Sequence, residues 1–393
     1  MVDNSLHSAM LKQLNDTSLK FKRYLYDDIP DARLVGITGP RGVGKSTLLL
    51  QKIKESNKKC LYVDADNLYF TTHTLVSLAD DFVKDGGEFL AIDEIHKYDG
   101  WSREIKEIYD TNHDLHIIFT GSSVLDIKKG SADLSRRALM FHMQGLSFRE
   151  YLELFHDRKV KTYSLEEILN HEVEIPSKES VLPEHPLPYF SDYLTKGYFP
   201  FSSEPLFELR LNQIISQTVE SDIPLYAGFT SATARKLKQL MGVLSRLAPY
   251  KPSIEKLSQE IGVSKNTLPE YLTMLEKAGM ISLLRDDTAG LRVLGKIEKL
   301  YIDNTNFMYA MAGVKTDIGN VRETFFQNQM RVEYDISVSR VSDFRIGDYT
   351  FEVGGKNKGQ RQIESIQNAF VIKDNIEFGN ANIIPLWHFG LTY

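Results

Sequence analysis

The chain has 393 residues, 42% hydrophobic and 25% charged, which suits two or three domains with buried cores and excludes a wholly disordered, collagen-like or low-complexity protein. Its formal charge is −6, from 47 Lys+Arg against 53 Asp+Glu, so any nucleic-acid surface must be a local patch. A lone cysteine, Cys60, leaves no intramolecular disulfide or cysteine-rich zinc site. No apolar run approaches the ~18 residues of a membrane span, and MVDNSLHSAMLKQLND lacks a secretion-signal pattern, so the expectation is a cytoplasmic protein with no membrane partner.

The first informative stretch is Gly39-Pro40-Arg41-Gly42-Val43-Gly44-Lys45-Ser46, which fits G-x-x-x-x-G-K-[ST]. An apolar strand, Arg33 to Thr38, precedes it, and a helix-forming run from Thr47 follows. Glycines let such a loop wrap a phosphate, with backbone N–H groups pointing inward beside a helix N-terminus. Residues 39–47 are therefore the expected nucleotide cradle. Lys45 would bridge the β- and γ-phosphates, and Ser46 would offer its hydroxyl to Mg²⁺.

Glu88-Phe-Leu-Ala-Ile-Asp93-Glu94 reads as a buried parallel strand that delivers two acids to its C-terminal edge. Asp93 suits the Mg²⁺ shell, and Glu94 suits the base that polarises an attacking water. His96, just beyond, reads as structural. The next apolar run, Leu115 to Phe119, ends in Thr120-Gly-Ser122-Ser, and Thr120, with Ser122 second, is the expected sensor of the γ-phosphate. A Ser/Thr-capped turn is the competing reading of that segment. In Asp133-Leu-Ser-Arg136-Arg137 an arginine at a subunit edge could stabilise transition-state charge in a neighbour's site. A solvated arginine pair is the alternative.

Together GITGPRGVGKSTLLLQ, LAIDEIHKYDGW, IIFTGSSVLDI and DLSRRALMFHMQGLSFREYL resemble the bacterial and archaeal AAA-type ATPases in which a domain of unknown function follows the ATPase core. Tyr193-Leu-Thr-Lys-Gly-Tyr-Phe-Pro200 and Phe351-Glu-Val-Gly-Gly-Lys356-Asn-Lys extend the resemblance over nearly the whole chain. It implies an α/β parallel-sheet P-loop core that takes ATP, a winged-helix segment and a C-terminal region similar to restriction endonucleases. It also implies Arg137 as an arginine finger. The family motif reads roughly Leu-x-Gly-Arg, and Arg136 stands here in place of the glycine, so both arginines remain candidates.

The expected domains are an ATPase domain at 1–150, a helical connection at 151–235, a winged helix-turn-helix at 236–290 and a nuclease-like α/β domain at 291–393. Residues 151–190 read as irregular, with Pro176, Pro183, Pro186 and Pro188. Helical spacing returns at Leu209, Leu211, Ile214 and Ile215, and again at Leu237, Leu240, Met241 and Leu244, in helices suited to act as a lid or lever. Ser253 caps a helix to Ile261, Gly262-Val263 turns the chain, Ser264 caps a second helix, and Met280 to Leu284 forms a wing strand. That module would place Lys265, Asn266 and Thr267 against DNA. However, residues 251–290 carry five Lys/Arg and six Asp/Glu, without the basic surplus that phosphate contacts need.

The last hundred residues read as mixed α/β, including a helix through Ile363, Ile366 and Phe370. Glu323, Asp343 and Glu352 match the acids of a restriction-type nuclease, but Gly354 stands where its lysine belongs, and Lys356 is the nearest replacement on that face. A retained fold without cleavage is the expectation. Lys356, Lys358 and Arg361 form a local basic cluster. Beyond ATP and Mg²⁺, the partners in question are double-stranded DNA, a protein, or further copies of the chain. The leading reading is an ATPase that couples nucleotide state to domain rearrangement. The alternative is a slow-turnover switch that docks a protein partner.

Overall fold

A computed structural model describes residues 3–121, 134, 136–228, 230–285, 297–313 and 316–393. The chain forms two compact units, Met1–Gln144 and Gly145–Tyr393.

In the first unit the described elements are α1 (Asn4–Asp16), α2 (Leu25–Asp28), β1 (Leu34–Thr38), α3 (Lys45–Glu55), β2 (Cys60–Asp64), α4 (Leu75–Lys84), β3 (Phe89–Asp93), α5 (Trp101–Thr111), β4 (His116–Gly121) and β5 (Leu139–His142), with strand and helix alternating from β1 to β4. The strands pair in the order β2-β3-β4-β1-β5, every pairing parallel, which is the α/β sheet expected from the sequence. Strands β1, β3 and β4 are apolar and buried along almost their whole length, as in a sheet covered on both faces. Leu48, Leu49 and Ile53 of α3 and Leu75, Leu78 and Phe82 of α4 supply the apolar stripes of their helices. Because β4 lies between β3 and β1, the C-terminal ends of all three strands meet at one edge of the sheet.

The second unit begins with helices at Phe148–His156, Leu165–Leu169, Pro186–Asp192, Phe207–Gln217, Ile223–Ala227 and Ser231–Leu247. Leu211 and Ile215 turn inward while Leu209 is exposed, so the apolar stripe near 210 is narrower than its spacing suggests. Helices Ile254–Ile261 and Thr267–Lys277 follow, and then β6 (Ile281–Arg285) pairs antiparallel with β7 (Ile297–Ile302). Ser253 accepts a hydrogen bond from the Lys256 amide at the start of the first of these helices, and Gly262 ends it in the left-handed conformation.

Helices Thr305–Ala312 and Ile318–Met330 precede β8 (Ile336–Val338), β9 (Phe344–Ile346), β10 (Tyr349–Gly354), β11 (Ala369–Lys373) and β12 (Ile383–Pro385). These strands form a mixed sheet in the order β12-β11-β10-β9-β8, against which Phe326 packs, its ring tilted on those of Phe344 and Phe351. The helix expected through Ile363, Ile366 and Phe370 is absent. Residues 361–365 are turns, Asn368 takes a φ of 55°, and Phe370 lies in β11. Ala369-Phe-Val-Ile has the β-branched and aromatic character of a strand, and Ile363 and Ile366 pack against Ala369 and Val371 as its cover. Among the described residues no helix is long and apolar enough to cross a membrane.

A buried amide binds the Tyr193–Pro200 segment to the rest of this unit. Asn306 accepts from the Tyr198 amide (2.9 Å) and donates to the carbonyls of Tyr193 (3.2 Å) and Leu194 (3.0 Å). Asn306→Ala strands these three groups away from water and is expected to destabilise the unit by about 2–4 kcal/mol, measured as a lowered denaturant midpoint.

Candidate functional site

The loop between β1 and α3 needs glycine for its shape. Gly39 has a φ of 148° and Gly44 a φ of 98°, and a Cβ on Gly39 would run into the Met143 carbonyl oxygen. Gly44 precedes the first turn of α3, so the loop opens onto that helix's N-terminus, where unpaired N–H groups favour an anion. Arg23 braces the loop from beneath. Its buried guanidinium donates to the Val43 carbonyl and to the Gln144 carbonyl (2.7 Å).

Lys45 is buried, and its ammonium donates to the carbonyls of Gly39 (2.8 Å) and Pro40 (2.7 Å). Burial pulls its pKa down to about 8, while Glu94 and Asp93 pull the other way. Ser46 and Thr47 follow in the first turn of α3, half-buried and exposed respectively. Arg41 and Gly42 lie at the outer bend of the loop.

Asp93 ends β3 and is buried with neutral donors on both oxygens. The Thr120 hydroxyl and the Glu94 amide (3.1 Å) donate to Oδ1, and the Tyr62 hydroxyl donates to Oδ2 (2.7 Å). The Glu94 amide also reaches Thr120 Oγ1 (3.2 Å). Burial beside that carboxylate raises the Tyr62 pKa well above its ordinary value, so its hydroxyl remains a donor. Glu94 itself takes a φ of 48°, a left-handed position uncommon for a side chain that is not glycine.

His96 lies in the turn after Glu94, with Nε2 3.5 Å from Glu94 Oε2. Burial, followed by the charges of Arg41, Lys97 and Lys45, lowers its pKa to about 3, so it stands there as a neutral imidazole. In the sequence His96 reads as structural, and no pattern marks Tyr62 or Arg23. Only the offset of two from Glu94 singles out His96.

Lys45, Asp93, Glu94 and Thr120 thus gather at one sheet edge, while Arg137 lies elsewhere. Its guanidinium makes a two-pronged ion pair with Asp110 of α5 (2.8 and 2.9 Å), and Arg136 is exposed. Ser122 lies outside the described residues. A Mg²⁺ ion suits the oxygen donors Ser46 and Asp93, and the partners of Asp93 are uncharged. Such an ion takes most of its ligands from phosphate and water.

The second carboxylate group is arranged differently. Lys299 of β7 pairs with Glu323 and stands 3.5 Å from Asp343. Glu352 accepts from Lys358 and from the Ser342 hydroxyl (2.6 Å). The lysine that reaches Glu352 is therefore Lys358, while Lys356 is exposed. Lys358 folds back over Gly354, whose missing Cβ would lie 2.6 Å from its side chain.

Comparison with known proteins agrees with the first unit's geometry. The AAA domain family matches residues 31–152, and a domain of unknown function, DUF8612, matches residues 187–318. An uncharacterized protein of Methanocaldococcus jannaschii is 28% identical over 299 residues. The match covers 70% of this chain and 62% of that protein, so the chain spans less than two thirds of the relative's length. Among solved structures, the RuvB Holliday junction branch migration motor of Thermotoga maritima superposes with a TM-score of 0.31 at 13% identity, covering 70% of this chain and 89% of that one. PCH-2 of C. elegans gives 0.26 at 16%, covering 69% and 70%. Superpositions this loose carry neither activity nor partner across. The strand order, the loop and the family match together make the first unit an AAA-type P-loop domain.

The state of Lys45 gives a pH dependence for nucleotide binding. A bound polyphosphate favours the charged ammonium, so above the free pKa of about 8 binding must take up a proton. The Kd of a fluorescent ATP analogue is expected to be flat below about pH 7 and to rise by up to about tenfold per unit above about pH 8, with Lys45→Arg abolishing that slope.

Proposed function

We propose that the protein is a Mg²⁺-dependent ATPase whose nucleotide state changes the arrangement of the parts that follow the AAA domain. The observation carrying this reading is the direct linkage of Asp93, Thr120 and the Glu94 amide at the edge where Lys45 and the glycine loop lie. In this reading residues 39–47 hold the phosphates, Lys45 stabilises charge on the β- and γ-phosphates, and Ser46 and Asp93 hold Mg²⁺, which offsets phosphate charge. Glu94 accepts the proton of a water attacking the γ-phosphorus. As the new P–O bond forms, the bond to the bridging oxygen breaks, giving ADP and phosphate. Thr120 senses the γ-phosphate through its contact with Asp93, and neutral His96 restrains Glu94. Arg137, or Arg136, serves a neighbouring copy in trans. Exchanging the exposed Asp110 pair for phosphate costs little.

The helices at Ile254–Ile261 and Thr267–Lys277 with the β6–β7 hairpin have the element order of a winged helix, which supports double-stranded DNA as a partner. The alternative, a slow-turnover switch that docks a protein, is favoured by one contact. Lys265, at the head of the would-be recognition helix, is held by Glu255 (2.6 Å) and so is less free for phosphate. For the nuclease-like sheet, Lys299 already pairs with Glu323 and Asp343 and Lys358 with Glu352, and this partial offset of the acids' charge favours a retained fold without cleavage.

Lys45→Ala is expected to abolish binding of a fluorescent ATP analogue, and Glu94→Gln to keep binding while lowering turnover by about 10²-fold or more. Wild-type turnover in Glu94→Gln would remove it as the base. Steady-state hydrolysis measured with and without duplex DNA at low salt separates the partner readings. Stimulation that fades as salt rises supports DNA. Unchanged turnover supports the protein-directed switch.

A further inference from the structure

The opposite edge of the parallel sheet, where β1, β3 and β4 begin, holds a cleft of about 400 Å³. Its walls are mostly apolar, from Ile29, Val35, Phe89 and Ile118 among others, and its polar groups come from α2, the last turn of α3 and the loops beside them. Two of its acids are already engaged. Glu55 accepts from the Tyr26 hydroxyl (2.6 Å) and pairs with Lys22, and Asp31 pairs with Lys58 (3.2 Å) and lies 3.1 Å from His116 Nδ1.

Lys52 differs from these groups. Its ammonium lies 4.2 Å from the centre of the Tyr26 ring, half-buried, and among the described residues it makes no hydrogen bond or ion pair. Burial holds it below the usual lysine range, with the acids around it opposing that only in part. A cation over an aromatic face in a largely apolar cleft, near acids that are engaged with other partners and not hydrogen-bonded to any of them, leaves donors that an anionic ligand can satisfy. Its size lies at the lower end for small-molecule sites.

We propose that this cleft binds a small amphipathic anion, with the apolar body against Ile29, Val35 and Phe89 and the acidic group on Lys52. The bound molecule lies against the bases of the strands that carry the glycine loop, Asp93 and Thr120 at their other ends, and against the C-terminal turn of the helix that Lys45 begins. It therefore acts as an effector of nucleotide affinity. Occupancy of the cleft does not depend on nucleotide, so the site stands or falls separately from the enzymatic reading, whereas the effector role rests on the nucleotide binding of that reading.

The test uses the full chain and 8-anilinonaphthalene-1-sulfonate, a fluorescent sulfonate with an aromatic body. Lys52→Met keeps the length of the side chain and removes its charge, Lys52→Arg keeps the charge, and Ala32→Phe fills the cleft. The expected result is a Kd at least about tenfold weaker for Lys52→Met and Ala32→Phe, and near wild type for Lys52→Arg. A fluorescent ATP analogue titrated with and without the probe should show a shift in Kd of about threefold or more that Lys52→Met abolishes. Equal probe affinity in wild type and Lys52→Met overturns the site. Probe binding with no shift in nucleotide Kd overturns the effector role.

Discussion

The arrangement of the nucleotide edge depends on the Asp93 carboxylate, buried at the end of a central strand with a hydroxyl on each oxygen. Taking a carboxylate out of water costs several kcal/mol unless its lone pairs are met, on the order of the whole stability of a domain. Here Tyr62 reaches it from β2, Thr120 from β4 and the next amide from its own chain. One acid thus ties three strands together at their C-terminal ends. The same bonds fix the Glu94 amide, which accounts for its unusual φ. A left-handed backbone outside glycine costs about 1–3 kcal/mol and persists only where its surroundings hold it.

How much of this the sequence reveals depends on the range of the interaction. The glycine loop, Asp93 and Glu94 are legible because their chemistry is local: turn conformations that only glycine adopts readily, and acids at the end of an apolar run. Thr120 is legible for the same reason, as a hydroxyl at the end of a strand. Arg23 and Tyr62 act across 20 and 31 residues, through pairings that exist only once the sheet has formed. Neither carries a pattern of its own. The misread helix near Ile366 has a similar cause. Its spacing of apolar residues suits a helix, but parallel pairing of Ala369–Lys373 with β10 and the turn at Asn368 decide the outcome. Lys358 is a third case. Alternation along β10 points to Lys356, whereas the chain turns back after Gly354 and brings in the lysine two residues later.

Strands β1, β3 and β4 connect two polar regions of unlike character. At their C-terminal ends lie a glycine loop and acids with neutral partners, and at their N-terminal ends a largely apolar cleft in which Lys52 lies over the Tyr26 ring beside acids paired with other lysines. Packed parallel strands are stiff, and α3 spans the same distance, with Lys45 in its first turn and Lys52 and Glu55 in its last. A shift of α3 along its axis is therefore felt at both ends. Its buried Leu48, Leu49 and Ile53 make a shift of the whole helix easier than bending within it.

The two carboxylate groups of the chain show why chemistry is assigned to one and withheld from the other. Hydroxyls and an amide solvate Asp93, and these satisfy its lone pairs without cancelling its charge. The negative field therefore remains at the sheet edge, where it can act on a cation brought in with phosphate. Glu323, Asp343 and Glu352 are bonded instead to two lysines, one of them laid across a glycine. Burial raises the pKa of Glu323 and the Lys299 ammonium opposes that rise, so part of the charge is met internally. A metal ion entering there must displace an ammonium already in hydrogen-bond contact, and it gains only the difference between the two. Equal numbers of acids would not make equal sites; the charge left over after the protein's own partners are counted decides which cluster can hold a cation.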